Sequence, residues 1–239
     1  MPKRYRGLAF DFSGVLAPLD LHQTAAEVAY NTLAVAKDDE RYRLTKAEHA
    51  RAMQLGTELW SITRGLLALH GIVEADAPLD HPIVREAAEA KQREYALLIK
   101  DGIPPLPGSV GVVRWAQKRL HRPGVGGKLA LASASPMSEL SPFADQNGLE
   151  FDAIVGKEDV GGNVKPKPDV YLLAAGRVDL NPGDVIAVED SVGGLQAARS
   201  AGCLAIGLPL NGEDLSSYAD IVVPSYDELR NALDTLLVA

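Results

Sequence analysis

The chain has 239 residues, a formal charge of −8 at neutral pH, 46% hydrophobic residues and 23% charged residues. That length holds one large domain or two small ones, and that composition excludes an intrinsically disordered chain. The single cysteine, Cys203, excludes an internal disulfide and a four-cysteine zinc cluster.

The acidic balance argues against a nucleic-acid partner, because phosphate backbones select basic surfaces. Only Lys3, Arg4 and Arg6 form a short basic start. No apolar run reaches the ~20 residues of a membrane span. Asp11 interrupts the first apolar stretch, so the start does not read as a signal peptide. The expectation is a soluble cytoplasmic protein with no membrane partner.

Residues 7–12 read as a short apolar strand ending in a carboxylate, followed by a turn at Ser13, Gly14 and Val15. From about 18 to 100 the pattern is helical, with stretches at 21–36, 45–70 and 81–100. Thr45 with Glu48 three residues on is a capping-box signature. Leu55, Leu59, Ile62 and Leu66 recur at helical spacing. Trp60 and Trp115 are expected in cores. The Pro-rich run 103–107 marks a linker. Beyond it, helices at 109–120, 137–147, 168–177, 192–201 and 226–237 alternate with strands at 128–132, 153–155, 185–188, 204–208 and 221–223. Such alternation predicts an α/β fold built on a doubly wound parallel sheet, with an inserted all-helical domain. Ligands of such sheets gather at the carboxyl ends of the strands.

Four predicted strand ends carry polar groups: Asp11, then Ser133 to Ser135, then the loop with Lys165 and Lys167, then Glu189 and Asp190. Carboxylates, hydroxyls and an ammonium converging on one crevice suit phosphoryl transfer through a carboxylate nucleophile. One Asp attacks phosphorus while other carboxylates hold Mg²⁺, a cation that takes oxygen ligands. Serine and lysine then neutralise the phosphoryl oxygens. Ser133 is expected to face the ligand and Ser135 to cap the next helix. Asp169 reads as an N-terminal helix residue. His49, His70, His81 and His121 show no metal-ligand spacing.

These segments resemble the four motifs of the haloacid dehalogenase superfamily, in order and across nearly the whole chain. The likeness is greatest to its β-phosphoglucomutase and phosphoglycolate-phosphatase branch. Residues 11–16, 131–135, 164–171 and 188–198 carry it. The resemblance implies a core of residues 1–17 and 103–239 and a helical cap of 18–102, with the Pro-rich run as one hinge. It implies Asp11 as nucleophile and Mg²⁺ held by Asp11, the backbone carbonyl of Ser13, and Asp190, with Glu189 in the first or second layer. It assigns the phosphoryl group to Ser133, the backbone N–H of Ala134 and Lys165, the last chosen over Lys167 by its spacing to Pro168 and Asp169. In the cap, Lys91 resembles a residue that reaches a distal phosphate, and His22 resembles a histidine of the hinge segment. The partner implied is a small phosphorylated metabolite.

Ser13 departs from the pattern. The family's phosphatases and mutases place a second Asp there, which protonates the leaving group and then activates water. Three readings follow. The first is a Mg²⁺-dependent phosphatase that is slow or favours good leaving groups. The second is carbon–halogen or carbon–phosphorus cleavage. The third is a non-catalytic relative that binds a phosphorylated ligand or a partner.

Overall fold

A computed structural model describes residues 3–45, 47–48, 59–210 and 212–238. They form two compact units: Met1–Pro18 with Gly102–Ala239, and Leu19–Asp101.

The first unit is built on strands β1 (Gly7–Phe10), β2 (Lys128–Ala132), β3 (Ala153–Val155), β4 (Val185–Glu189), β5 (Leu204–Gly207) and β6 (Ile221–Val222). All pair in parallel, in the order β3-β2-β1-β4-β5-β6. Every residue of β1 and β4 is buried, as expected of strands covered on both faces. Among the described residues, three helices of the second unit come first in chain order: α1 (Leu21–Lys37), α2 (Leu59–Leu69) and α3 (Pro82–Leu98). The α/β unit adds α4 (Ser109–Leu120), α5 (Met137–Gln146), α6 (Asp169–Arg177), α7 (Val192–Ala201) and α8 (Tyr226–Leu236).

Strand side chains alternate between faces. Ala9, Ala130, Ala132, Ala187 and Ala205 line one face and admit α6 and α7 closely, through Val170, Tyr171, Ala174, Leu195 and Ala198. Leu8, Phe10, Leu129, Leu131, Ile186 and Val188 point the other way and are buried. Burying each such large side chain contributes roughly 1.5–3 kcal/mol. The chain winds from β1 out to β3, then crosses back to β4 on the other side of β1. The carboxyl ends of β1 and β4 therefore flank the topological switch point, where such sheets bind ligands. Phe10 is level with Val188, and the Asp11 N–H donates to Val188 O at 3.0 Å.

The second unit has its own core of Ala26, Ala29, Tyr30, Leu33, Leu66, Leu67, Val84 and Ala87. The capping box forms: Thr45 N–H donates to Glu48 Oε2 at 2.8 Å, and Glu48 N–H to Thr45 Oγ1 at 3.3 Å. His81 caps α3, its Nδ1 accepting from Ile83 N–H at 3.3 Å, with Pro82 in the first turn. Part of the expected helix 45–70, with Leu55 and His49, lies outside the described residues.

Two expectations need correction. β1 ends at Phe10 rather than at 12, because the chain turns sharply: Phe12 O accepts from Leu16 N–H and Ala17 N–H at 2.7 and 3.0 Å. Trp115 is only half-buried and lies beside the Arg119 guanidinium, 5.8 Å from its ring centroid. The buried stripe of α4 runs through Val112, Val113, Ala116 and Leu120, which leaves position 115 on its flank. Trp60 is also half-buried and packs against the edge of the helical core.

Candidate active site

Asp11, Glu189 and Asp190 bring carboxylate oxygens within 4.8 Å of one another at the switch point. All three side chains are buried. Lys165 reaches into this cluster from the loop before α6. Its Nζ lies 2.5 Å from Asp11 Oδ1 and 2.6 Å from Glu189 Oε1, and donates to Ala132 O at 3.1 Å. One ammonium thus faces three carboxylates. Lys167 is exposed and bonds Asn163 instead, at 2.8 Å. Of the two lysines, Lys165 is the one placed at the carboxylates.

The two adjacent acids of β4 have different surroundings. Glu189 is 0% exposed. Its Oε1 accepts from the Tyr171 hydroxyl at 2.5 Å. A Cβ on Gly194 would overlap its carboxyl group, so α7 packs directly on it. Asp190 instead leaves a buried Oδ2 with no hydrogen-bond partner. That oxygen lies against Gly14, where a Cβ would overlap it. Gly14 has φ +85°, a region L side chains rarely adopt.

The charge imbalance moves the ionisations. Burial raises Asp190 to about 8, helped by repulsion from Asp11 and Glu189 and opposed by Lys165. Burial also raises Glu189 to about 7, with Lys165 pulling down and Asp11 pushing up. For Lys165, burial disfavours the charge, but Asp11 and Glu189 outweigh it and hold the ammonium above its ordinary range. A divalent cation suits this site. The donors are hard oxygens, the negative charge exceeds the positive, and a buried carboxylate oxygen lacks a partner. Asp11 and Asp190 would hold it; Glu189 is already engaged by Lys165 and Tyr171.

Gly14→Ala follows as a test of this packing. The added methyl is expected to drive Asp190 from its place, lowering the melting temperature and erasing its rise on adding Mg²⁺. An unchanged, cation-responsive melting temperature would contradict the geometry.

Ser133 is buried in the turn after β2, beside β1, and its Oγ accepts from Ser135 N–H at 3.1 Å. Ala134 is exposed in the same turn. Ser135 does not cap α5. Pro136 takes the N-cap position, with no side-chain cap, so Ser135 falls one residue too early. Its Oγ lies 3.2 Å from Ser13 Oγ instead, two residues beyond Asp11. Asp169 does open α6.

Lys91 and His22 belong to the helical unit. Lys91 is buried on α3. His22 stacks on Tyr95 with centroids 4.0 Å apart and planes at 14°. Tyr95 is one turn beyond Lys91 and shares its face of α3. His121 pairs with Asp152 at 2.9 Å and His70 with Glu48 at 3.5 Å.

Sequence reasoning missed Tyr171 and the pairing of Ser135 with Ser13. Tyr171 lies within a quoted motif, but an aromatic in the first turn of a helix reads as core. Only the fold sets its hydroxyl against Glu189 and its ring 5.1 Å below the Lys165 ammonium.

The chain is similar to known proteins in sequence and fold. A family model described as haloacid dehalogenase-like hydrolase matches residues 5–202. Fructose-1-phosphate phosphatase YqaB of Escherichia coli K12 is 32% identical over 213 residues, covering 88% of this chain and 100% of its own. A Thermotoga maritima structure designated a beta-phosphoglucomutase has a TM-score of 0.69 at 26% identity, covering 97% of this chain and 100% of its own. A hydrolase from Deinococcus radiodurans, solved with phosphate and sodium bound, shares the fold with a TM-score of 0.72 at 23% identity, covering 98% and 97%.

Proposed function

Because the chain belongs to the haloacid dehalogenase-like hydrolases, we propose that it hydrolyses small phosphate monoesters through attack by Asp11 on phosphorus. The observation that carries this reading is the buried cluster of Asp11, Lys165, Glu189 and Asp190 at the switch point. An Asp11 oxygen forms a bond to phosphorus as the ester oxygen leaves. Water then attacks the aspartyl phosphate, releasing inorganic phosphate and restoring the carboxylate. Lys165, Ser133 and the backbone N–H of Ala134 hold the phosphoryl oxygens.

Asp11, Asp190 and the Ser13 carbonyl would hold Mg²⁺, which would supply positive charge that lets two anions approach. Glu189 anchors Lys165 from below. Lys91 and His22 are assigned to substrate binding on the resemblance alone. The lone buried thiol of Cys203, which burial pushes up to about 12, suits a reducing cytoplasm.

Ser13 sets the rate. No carboxyl group stands at that position to protonate the departing oxygen, and the Ser13 hydroxyl is turned to Ser135. A serine hydroxyl is far too weak an acid for the task. Substrates whose leaving group departs as a stable anion are therefore favoured.

The name of the Escherichia coli relative puts sugar phosphates first in a substrate panel. Phosphate release from that panel tests the proposal. Phosphate binding without release from any ester would favour the ligand-binding reading instead.

Cation binding gives an independent check. Asp190 is raised to about 8, so the metal-free protein carries its proton at pH 7. Loading Mg²⁺ requires the carboxylate and drives that proton off. Affinity is expected to rise as pH rises towards 8 and to level off above it. Calorimetry at pH 7 in two buffers of different ionisation enthalpy measures the released proton. Equal heats in both buffers would count against the assignment of Asp190.

A further inference from the structure

The loop after Asp11 is closed from within by Phe12 O, and by Gly14 N–H donating to Ala17 O at 2.7 Å. It is also held from outside, by groups far away in sequence. Leu16 O accepts from Leu106 N–H at 2.9 Å and from Ser109 Oγ at 3.0 Å. Val15 O accepts from the Tyr226 hydroxyl at 2.7 Å. Val15, Leu16 and Ser109 are all 0% exposed. A buried carbonyl must find a partner in the protein.

Tyr226 opens α8, whose start is fixed by Ser225 Oγ accepting from Glu228 N–H at 3.2 Å. Its ring packs over Gly108, where a Cβ would come within 2.9 Å of Cδ2. Gly108 has φ +96°, which also calls for glycine. The α/β unit therefore draws its nucleophile loop, the segment 106–109 and the start of α8 together at one point. The α/β unit breaks off at Pro18 and resumes at Gly102, so this point lies within a few residues of both crossings. Tyr226 also lies beyond residues 5–202, the extent of the family match.

We propose that Tyr226 is a positioning residue for the nucleophile: its hydroxyl fixes Val15, and through Val15 the seat of Gly14 against Asp190 and of Asp11 beside it. The loop has little slack. Val15 adjoins Gly14, and Gly14 touches the Asp190 carboxylate. A shift of about 1 Å at a reacting group costs about 10²-fold in rate. Ser133 and Lys165 come from other segments, so their grip on phosphate does not depend on Tyr226.

The inference rests on Asp11 being the nucleophile. Its test is Tyr226→Phe in the full chain, which removes one oxygen and keeps the ring. With p-nitrophenyl phosphate, kcat is expected to fall about 10- to 100-fold. The dissociation constant of inorganic phosphate, by calorimetry at saturating Mg²⁺, should stay within about twofold of the wild type, because the phosphate contacts are kept. Ser109→Ala, which removes the neighbouring anchor, should repeat this split.

Unchanged kcat would overturn the proposal. So would parallel losses in kcat and phosphate affinity with a large drop in melting temperature, which mark general loosening. A wild type with no turnover would instead sink the hydrolase reading. Tyr226 is then judged by the rise in melting temperature on adding Mg²⁺. That rise should shrink in Tyr226→Phe if Tyr226 seats Gly14 against Asp190, and a rise of undiminished size would overturn the claim.

Discussion

Ser13→Asp is expected to raise turnover of alkyl phosphates by about 10²–10⁴-fold, the usual worth of a positioned acid–base group. Ser13 Oγ lies 3.2 Å from Ser135 Oγ, at the edge of a cluster that already holds three carboxylates. A carboxyl group placed there feels like charges, which raise its pKa and keep a proton available near neutrality. It can give that proton to a departing alkoxide and later take one from water.

The gain in the first step should depend on the leaving group. An alkoxide needs the proton, whereas p-nitrophenolate leaves without it. Single-turnover measurements of aspartyl-phosphate formation with a sugar phosphate and with p-nitrophenyl phosphate separate the two cases. A large gain for the first and a small one for the second is the expected pair. Equal gains, or none, would show that the missing acid is not what limits the protein.

Asp11→Asn is expected to lower turnover by roughly 10⁴–10⁶-fold, as removal of a nucleophile does elsewhere. The amide has nearly the same shape but cannot form the acyl phosphate. It also removes one negative charge from Lys165, which keeps the Glu189 carboxylate at 2.6 Å and Ala132 O at 3.1 Å. Inorganic phosphate should therefore still bind, held by Lys165 and Ser133. Acid quenching during turnover should trap a phosphorylated wild type and an unphosphorylated variant. Unchanged activity in the variant would remove Asp11 from the chemistry.

The layout of the molecule was legible because its signals are local. Val185 to Val188 and Leu129 to Ala132 are unbroken apolar runs, and such runs form strands covered on both faces. Thr45 and Glu48 announced a helix start through residues three apart, and both bonds form. The acids and Lys165 were legible because each directly follows a strand or sits in a strand-end loop.

What escaped depends on contacts made across the fold. Glu189 and Asp190 look alike in sequence, yet successive residues at a strand end point opposite ways. One is buried beneath Lys165 and Tyr171, and the other faces Gly14. Ser135 was misplaced by one residue because Pro136 takes the cap position. Tyr226 carries no local mark, since its partner Val15 is 211 residues away.

The most direct test of the central claim is release of p-nitrophenol from p-nitrophenyl phosphate, with Mg²⁺ and with a chelator. This ester asks least of the missing acid. Release with Mg²⁺ that stops on chelation is the predicted result, and it would mean that Asp11 and Asp190 form a working metal-assisted site despite Ser13. Release that persists in chelator, or no release in either condition, would contradict it.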